Sequence, residues 1–395
     1  MIVVLRLAAA LFVAQAGFHA YTAALPLALA RGGVADATIG LVMGSAALVQ
    51  IPAALVGGRM VDRFGGERLF RTGAIAYLAA TAVLLLPGIE PDGPVAPFFV
   101  VRILQGIGIG TVVPAALSLV PRLLPGSRHS AGLAYVGAAQ NLTLVVMPPL
   151  SIALLDAGSL RGVGMAVVGF VGAGLLLALR LPVKPVAAEV AAVAVAGRRW
   201  IGITFRRPWS VPLALVVLYV AHWGAVTAYL PVRAADAGAD IGLYFAADGV
   251  SIFLMRLPSG WLVERLEART LIVTGAAMTG AAIGLLLLPL TTPLLLVSGL
   301  LGGAGGALVL TPVLVILSRR STDADRGSAF ALFSGGLATA MTLGSVGGAP
   351  IVALAGLPAA LGLGIALIGA AIALALADAS LRTTGGGPVA GTASG

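Results

Sequence analysis

The chain has 395 residues, of which 59% are hydrophobic and 10% are charged, and its mean hydropathy is +1.07. This composition excludes an ordinary soluble monomer. There is no cysteine, which excludes a disulfide framework and a thiolate metal site. The net charge of +9 does not predict a nucleic-acid partner, because the basic residues sort by membrane side.

Apolar stretches recur along the whole chain. Each is about 20 residues or longer, enough to cross roughly 30 Å of hydrocarbon as a helix. We predict an all-α membrane protein with twelve spans, centred near residues 18, 48, 78, 108, 142, 171, 221, 252, 278, 305, 341 and 367. The first stretch has no clear cleavage site, and we interpret it as span one rather than as a removed signal peptide.

The positive charges predict the topology. Of the 24 lysines and arginines, 19 fall on the side of the N-terminus, and two, Arg102 and Arg256, fall within spans. The remaining three lie on the opposite side: Arg31, Arg161 and Arg233. By the positive-inside rule both termini are expected to be cytoplasmic. The sequence thus predicts a multi-pass protein of the cytoplasmic (inner) membrane.

A stretch of 31 residues occurs twice, 202 positions apart, beginning at Ile39 and at Ile241. Eight of its positions are identical, and each copy is an apolar stretch that ends in Gly-x-x-x-acid-Arg. A shorter match joins residues 22–26 to residues 227–231, each of which ends in Leu-Pro. The repeat predicts two matched halves around a central path, an arrangement typical of transport.

The repeat also predicts the domain organisation. We expect an N-terminal six-helix bundle in residues 1–181 and a C-terminal six-helix bundle in residues 209–380. Residues 182–208 contain Pro182, Pro185 and two arginine pairs around an Ala/Val-rich middle, and they are expected to form a cytoplasmic linker. This linker is either a simple tether or an interfacial helix. The Gly/Thr/Ser-rich residues 381–395 are expected to be a disordered tail.

The repeated loop between the second and third span of each half carries a motif. In the first copy, residues 58–66 read GRMVDRFGG. This segment resembles the signature loop G-x-L-a-D-r-x-G-r-k of the major facilitator superfamily, with four positions matched: Gly58, Asp62, Arg63 and Gly65. The second copy has the matching residues Gly260, Glu264 and Arg265, with glutamate in place of aspartate.

The resemblance implies the fold and a role for this loop. It implies two six-helix bundles related by a pseudo-two-fold axis normal to the membrane. It also places Asp62 at the start of span eleven, near Ser328, where the helix dipole favours an anion. A contact made in only one conformation would bias the conformational equilibrium. We therefore expect the motif to act as a gate, and loop capping is the simpler alternative.

Arg102 lies within span four, in the segment RILQGIG. A guanidinium in hydrocarbon costs at least about 2.5–3.5 kcal/mol, so this side chain is expected to face the interior or water. The spacing resembles a second superfamily motif, R-x-x-q-G-x-g, whose arginine is associated with proton coupling. Arg102 is therefore a candidate coupling residue, and a structural hydrogen-bonding anchor is the alternative.

Asp248 is an acid placed clearly inside a span. Tyr244, Asp248 and Ser251 are spaced i, i+4 and i+7, which gives span eight one polar face. A titratable group in such a position is a candidate proton site or substrate contact, and a fixed partner for an arginine is the alternative. Arg256 is eight residues further on, about 12 Å along the helix and roughly 80° around it, so a direct pair is not expected and Arg256 is expected to be structural.

Further polar residues within spans are candidates for the transport pathway. His19 shares a face of span one with Gln15 and Thr22, and His222 shares a face of span seven with Tyr219 and Trp223. In the superfamily fold, spans one, four, seven and ten line the cavity, so these faces would meet there. The two histidines are candidate proton carriers, with packing as the alternative. The candidates for substrate contact are Gln15, Gln50, Gln105, Gln140, Asn141, Tyr219, Trp223 and Tyr244.

These observations predict a secondary active transporter that works by alternating access, with proton-coupled efflux of a small organic solute as the first interpretation. Proton-coupled uptake is the alternative, and it is favoured if Asp248 and Arg102 clamp a polar substrate. Of the motif g-x-x-x-G-P-x-x-G-G, common in span five of proton-exchanging exporters, only Pro148 is matched, which weakens the prediction of proton antiport. The expected partners are the solute, protons and lipid, and we expect a monomer. The acids within spans do not come in pairs, and the sequence has no phosphate-binding loop of the G-x-x-x-x-G-K-[ST] type, so neither an enzyme nor a cofactor is expected.

Overall fold

The computed structural model describes residues 2–123, 129–180, 207–320 and 326–382. Within these ranges the chain forms twelve α-helices, one short 3-10 helix (Ala379–Leu381) and no strand. The first six helices are α1 (Ile2–Arg31), α2 (Asp36–Phe64), α3 (Gly66–Leu85), α4 (Ala96–Leu123), α5 (His129–Ala157) and α6 (Leu160–Leu179). The other six are α7 (Arg207–Asp236), α8 (Ile241–Arg265), α9 (Ala268–Leu285), α10 (Thr292–Arg319), α11 (Arg326–Ser345) and α12 (Ala349–Ala377).

The predicted all-helical membrane fold is confirmed. In the described residues, ten helices are long and apolar enough to cross a membrane, and the two that are not among them are α8 and α11. Four charged residues interrupt the apolar pattern of α8: Asp248, Arg256, Glu264 and Arg265. Twelve helices at the twelve predicted centres are consistent with the predicted span count.

Two ends of the helical assembly are distinguished by their turns. We call the end that carries residues 32–35, 86–95, 158–159, 237–240, 286–291 and 346–348 the distal end. The opposite end, where α1 begins and α12 ends, is the terminal end. Two ion pairs lie at the distal end, joining Arg31 to Asp156 at 2.7 Å and Arg161 to Glu90 at 3.1 Å.

Helix packing follows the repeat. In the first half α1 packs on α5 and α6, α4 packs on α2 and α3, and α3 packs on α6. Adding six to each helix number gives the packing of the second half, with α7 on α11 and α12, α10 on α8 and α9, and α9 on α12. The halves meet where α2 packs on α11, α5 on α8 and α1 on α7. The same packing pattern in both halves is the pattern expected of two six-helix sets that are related by pseudo-symmetry.

Glycine allows the closest helix crossings. A Cβ added at Gly106 of α4 would collide with the backbone oxygen of Ala46 on α2. In the second half, a Cβ added at Gly303 of α10 would collide with the backbone oxygen of Asp248 on α8. Small residues let membrane helices approach backbone to backbone in this way. Arg102 lies on α4 of the first crossing and Asp248 on α8 of the second, and both side chains are buried.

The turn between α2 and α3 consists of Gly65 alone. Its φ of +88° is in the region that favours glycine. The next residue, Gly66, lies against α4, where an added Cβ would press on Ser118 and on the backbone oxygen of Ala115. These two glycines therefore permit a tight turn and a close helix approach at this end of α2.

The predicted linker and tail lie mostly outside the described residues. Of residues 182–208, only Arg207 and Pro208 are described, and they belong to α7, which begins inside the predicted linker. Of the tail, Leu381 is buried at the end of the 3-10 helix. Residues 383–395 lie outside the described ranges, and the predicted domain boundaries stay predictions.

Candidate functional site

The interior of the first half encloses Arg102, which is 3% exposed. Its guanidinium donates to the side-chain oxygen of Gln105 at 2.7 Å and to the backbone oxygen of Met43 at 2.9 Å. The ring of Phe18 covers it, with its centroid 5.0 Å away. In the described part of the chain no carboxylate lies within ion-pair distance of Arg102. Its positive charge is therefore held by neutral acceptors and an aromatic face.

Two further hydrogen bonds fix this cluster to α1. The Gln105 amide donates to the backbone oxygen of Gly17 at 3.1 Å. The Tyr77 hydroxyl on α3 donates to the side-chain oxygen of Gln15 at 2.8 Å. We call this cluster the basic core, because its one charged side chain is the buried guanidinium of Arg102. Its members are Gln15, Phe18, Tyr77, Arg102 and Gln105.

The interior of the second half encloses Asp248, which is also 3% exposed. Its Oδ2 atom is buried and has no hydrogen-bond partner among the described residues. Tyr219 and Tyr244 lie close enough for the carboxylate charge to act on both phenols. The Tyr219 hydroxyl is hydrogen-bonded to Thr279 of α9 at 2.7 Å. We call Tyr219, Tyr244, Asp248 and Thr279 the acidic core.

The two cores are opposite in charge and share one pair of equivalent positions. Tyr77 and Thr279 are 202 positions apart, the spacing of the sequence repeat. The bond from Tyr77 to Gln15 joins α3 to α1, and the bond from Thr279 to Tyr219 joins α9 to α7. In each half a buried polar link between the first and third helix therefore lies beside a buried charge.

One face of α10 leaves space beside the acidic core. Gly302 and Gly306 are half-buried, whereas Gly299, Gly303 and Gly305 are buried against neighbouring helices. A Cβ added at Gly302 would stand 3.5 Å from Oδ1 of Asp248, and one at Gly306 would stand 3.7 Å from the Tyr219 hydroxyl. Both are ordinary contact distances, so these two glycines border accessible space next to polar side chains.

Aromatic side chains border the acidic core towards the distal end. The rings of Trp223 and Tyr244 are inclined by 27° with centroids 6.4 Å apart, and Phe245 meets Trp223 edge-on at 6.0 Å. Trp223 is half-buried, whereas Tyr244 and Phe245 are buried, so Trp223 is the accessible ring of these three. His222 is turned back on its own helix, where its Nδ1 is hydrogen-bonded to the backbone oxygen of Tyr219.

The predicted polar stripe of α1 has unsatisfied hydrogen-bonding groups. The amide nitrogen of Gln15, both ring nitrogens of His19 and the hydroxyl of Thr22 are buried, with no partner in the described residues. The three side chains recur at i, i+4 and i+7, so they lie along one line of the helix. A buried polar atom without a partner is costly, so these atoms are candidates for contact with water or a ligand.

The remaining candidates are less concentrated. Gln50, Gln140 and Asn141 are partly exposed on α2 and α5, and the amide nitrogen of Asn141 has no partner in the part of the chain described. Arg256 reaches from α8 to α5, where its guanidinium lies 3.6 Å from the Cβ position of Gly137. This placement at the junction of the halves fits the structural role predicted for Arg256.

The signature loops are described only in part. The side chains of Asp62 and Arg63, and the predicted contact with Ser328, lie outside the described side chains, as do Gly58 and Gly260. In the second copy Glu264 is exposed, and the guanidinium of Arg265 lies 4.1 Å over the ring of Trp261. The gating role of the motif therefore stays a prediction.

Close contacts join the halves at the distal end. The Tyr229 hydroxyl of α7 donates to the backbone oxygen of Ser345 on α11. The same phenol lies against α2, where a Cβ added at Gly40 would collide with it. One turn further on, Gly44 leaves room for Ser345 and Val346. Side chains of the second half therefore pack directly against Gly40 and Gly44 of the first half.

Sequence reasoning missed several of these residues. Phe18, Tyr77 and Thr279 are ordinary core residues by pattern, and only the 202-residue offset relates Tyr77 to Thr279. Gly302 and Gly306 are spaced by four in a glycine-rich run, a spacing that could have indicated one smooth helix face. Across the described ranges, no three His, Asp or Glu side chains gather as a metal site.

Comparison with known proteins gives a family match over nearly the whole chain. The profile of the Major Facilitator Superfamily matches residues 7–243 and 233–385. The human organic anion transporter MFSD10 (TETRAN) has the same fold, with a TM-score of 0.71, 17% identity, and coverage of 94% of this chain and 98% of that one. At this identity the likeness concerns the fold alone.

Two curated relatives match shorter stretches. The probable actinorhodin transporter of Streptomyces coelicolor is 32% identical over 160 residues, which is 38% of this chain and 26% of the relative. The puromycin resistance protein pur8 of Streptomyces alboniger is 39% identical over 79 residues, 20% of this chain and 15% of the relative. The chain therefore spans about a quarter or less of the length of these relatives.

Proposed function

The chain belongs to the Major Facilitator Superfamily, and we propose that it is a proton-coupled exporter of a small organic solute that works by alternating access. In this proposal the solute binds between the two halves, and the halves rock about it to open one side at a time. The protein resides in the cytoplasmic membrane with both termini in the cytoplasm, in accord with the distribution of basic residues.

One observation carries the proposal: each half encloses a charge that no described group of opposite sign neutralises. A buried carboxylate without a partner is costly, so Asp248 needs a proton or a cationic ligand. Arg102 is less demanding, because Gln105 and Met43 accept its hydrogen bonds. We therefore assign proton carriage to Asp248 and the positioning of α1, α2 and α4 to Arg102.

The histidines have a secondary role in this proposal. His222 is already hydrogen-bonded to Tyr219, which favours packing. His19 has two ring nitrogens without a partner in the described residues. Of the two, His19 is the better candidate for a contact with solute or for a second proton site.

The distal contacts support alternating access. Tyr229 rests on Gly40 without room for a methyl group, so separating these helices removes a tight contact between the halves. In our proposal this contact forms when the distal end is closed and breaks when it opens, while the signature loop acts at the terminal end. The relative named for puromycin resistance supports export rather than uptake.

The test is solute flux in proteoliposomes under an imposed pH gradient. Puromycin, an amphipathic aromatic amine, is the first probe, since a relative is named for resistance to it. We expect puromycin to accumulate only when the gradient has the sign required for exchange. Accumulation under the opposite gradient would establish proton-coupled uptake, the second candidate. Gradient-independent flux would contradict coupling altogether.

A further inference from the structure

We propose that the acidic core is a recognition site for organic ammonium ions, with Asp248 as the counter-charge and the α10 face of Gly302 and Gly306 as its floor. This inference rests on the proposed function and deepens it, since it names the chemical class of the transported solute. The argument depends on three independent features: an unsatisfied acid, aromatic surfaces and a helix face without side chains.

The acid calls for a cation. Oδ2 of Asp248 is buried without a hydrogen-bond donor among the described residues, and no described lysine, arginine or histidine lies within ion-pair distance of it. Replacing the missing donor with an N–H or N-methyl cation would recover the stabilisation that a buried carboxylate otherwise lacks. An anionic ligand, or a neutral ligand without a hydrogen-bond donor, would leave Asp248 without a partner.

The aromatic side chains favour an organic cation over a metal ion. Tyr244 lies one turn before Asp248 on α8, and the half-buried Trp223 adjoins Tyr244. Tyr219 borders Gly306, one turn along α10 from the Gly302 that borders Asp248. Aromatic faces attract ammonium groups through their quadrupole, most strongly for tryptophan and for desolvated sites. Calcium and magnesium ions prefer about six or more oxygen ligands, with carboxylates among them, and the acidic core has a single carboxylate beside aromatic rings.

The glycine face provides access and sets a size limit. Gly302 and Gly306 lie one turn apart and are half-buried, so a ligand can approach Asp248 along bare backbone. Added Cβ atoms at these positions meet only Oδ1 of Asp248, Ala282 or the Tyr219 hydroxyl, all at 3.5 Å or more. Alanine is therefore tolerated there without backbone movement and would narrow the space. At Gly303, by contrast, a Cβ would collide with the backbone of α8.

The first test is binding to the full-length protein in lipid nanodiscs. The probe is benzyltrimethylammonium, and benzylsulfonate is the anion of similar size. We expect saturable binding of the cation only, with Asp248→Asn weakening it by about tenfold or more, as loss of a buried counter-charge requires. Asp92→Asn, the same change on an exposed turn, should leave binding unchanged. Equal affinity of wild type and Asp248→Asn, or no binding of the cation by wild type, would overturn the inference.

The second test concerns size and aromatic contact. Gly302→Ala and Gly306→Ala should weaken the binding of benzyltriethylammonium more than that of benzyltrimethylammonium, because the larger ammonium head contacts the added methyl groups first. Tyr244→Phe should retain most of the affinity and Tyr244→Leu should lose about tenfold, since the ring supplies the cation contact. An equal loss of affinity for both cations in the glycine variants would contradict the assignment, as would equal affinities of the two Tyr244 variants.

The proposed function and this inference fail separately. If puromycin flux depends on Asp248 but benzyltrimethylammonium neither binds nor competes, the coupling proposal stands and the ligand class is wrong. If benzyltrimethylammonium binding depends on Asp248 but pH-gradient-driven flux survives Asp248→Asn, the ligand class is supported and proton coupling through Asp248 is wrong.

Discussion

Asp248 occupies the position in the second half that Ala46 occupies in the first. The two residues are 202 positions apart, and the backbone oxygen of each lies against a glycine of the packed helix, Gly303 for Asp248 and Gly106 for Ala46. The same helix crossing thus carries a carboxylate in one half and a methyl group in the other. The charge is therefore not required by the crossing itself, which favours a functional role for Asp248.

Replacement of this carboxylate tests coupling. We expect Asp248→Asn to reduce pH-gradient-driven puromycin accumulation by about tenfold or more, within the usual range of coupling between linked sites, while downhill exchange persists. The reason is that the amide retains the shape but cannot carry a proton. Flux is measured in proteoliposomes with Asp92→Asn as the control. Gradient-driven flux that survives both Asp248→Asn and the double substitution of His19 and His222 would refute coupling through these groups.

The membrane orientation is open to direct labelling. The protein has no cysteine, so single cysteines report without background. Arg180→Cys, at the exposed end of α6, should react with an impermeant thiol reagent only from the cytoplasm, and Asp92→Cys only from outside. The reverse pattern would invert the topology, and labelling of both from one side would contradict the count of spans between them.

The signature loop is tested by Asp62→Asn. We expect slower turnover with insertion and probe binding largely retained, because the change removes a contact made in one conformation only. Flux and benzyltrimethylammonium binding are measured on the same preparation. Glu264→Gln, at the equivalent position of the second copy, is the matched variant. Normal turnover in Asp62→Asn would mean that the loop is only a turn.

The distal contact is tested by adding volume at Gly40. Gly40→Val should disfavour the closed distal end by about 1–3 kcal/mol, the usual cost of overpacking, since the new side chain displaces the Tyr229 phenol. The readout is the rate at which Gln50→Cys reacts with an impermeant reagent added on the distal side, which should rise.

Two variants control this experiment. Gly169→Val on α6, where an added Cβ meets nothing within 4 Å, should leave the rate unchanged. Adding Tyr229→Ala to Gly40→Val should relieve the crowding between these two side chains. An unchanged rate in Gly40→Val would show that the Tyr229 contact does not control distal access.

Stability of the basic core is tested by Tyr77→Phe. Loss of the hydroxyl leaves the Gln15 oxygen without its donor, which should lower the free energy of unfolding by about 1–3 kcal/mol. The measurement is thermal unfolding in detergent. Tyr21→Phe is the matched control, since Tyr21 is equally buried but its hydrogen bond to Thr81 is long, at 3.5 Å. Equal destabilisation of the two variants would contradict a specific role for the bond between Tyr77 and Gln15.

The fold was predictable because its signals are periodic and redundant. Apolar stretches locate each helix, and the copies that begin at Ile39 and Ile241 relate the halves before any contact is known. Individual charges such as Arg102 and Asp248 also stand out, since so few lie within apolar stretches. Their burial in the structure agrees with that prediction, although their roles are proposals.

The partners of these charges were not predictable from pattern. Phe18, which directly precedes His19 in α1, covers Arg102. Nothing in the sequence distinguishes it from other core aromatic residues. The space beside Asp248 depends on which glycines face a neighbouring helix, and Gly302 and Gly303 differ only in that respect. Such contacts arise from the rotation of each helix about its axis, which composition does not specify.

The single-residue turn at Gly65 has a mechanical consequence. Because only one residue connects α2 to α3, the joint cannot lengthen. A displacement of the terminal end of α2 therefore moves the start of α3 with it. Gly40, where Tyr229 seats, is separated from this joint by most of the length of α2, roughly 36 Å at 1.5 Å per residue. A tilt of about ten degrees would move the joint by roughly 6 Å, and α2 would act as a lever arm that converts a small opening at one membrane face into a large stroke at the other.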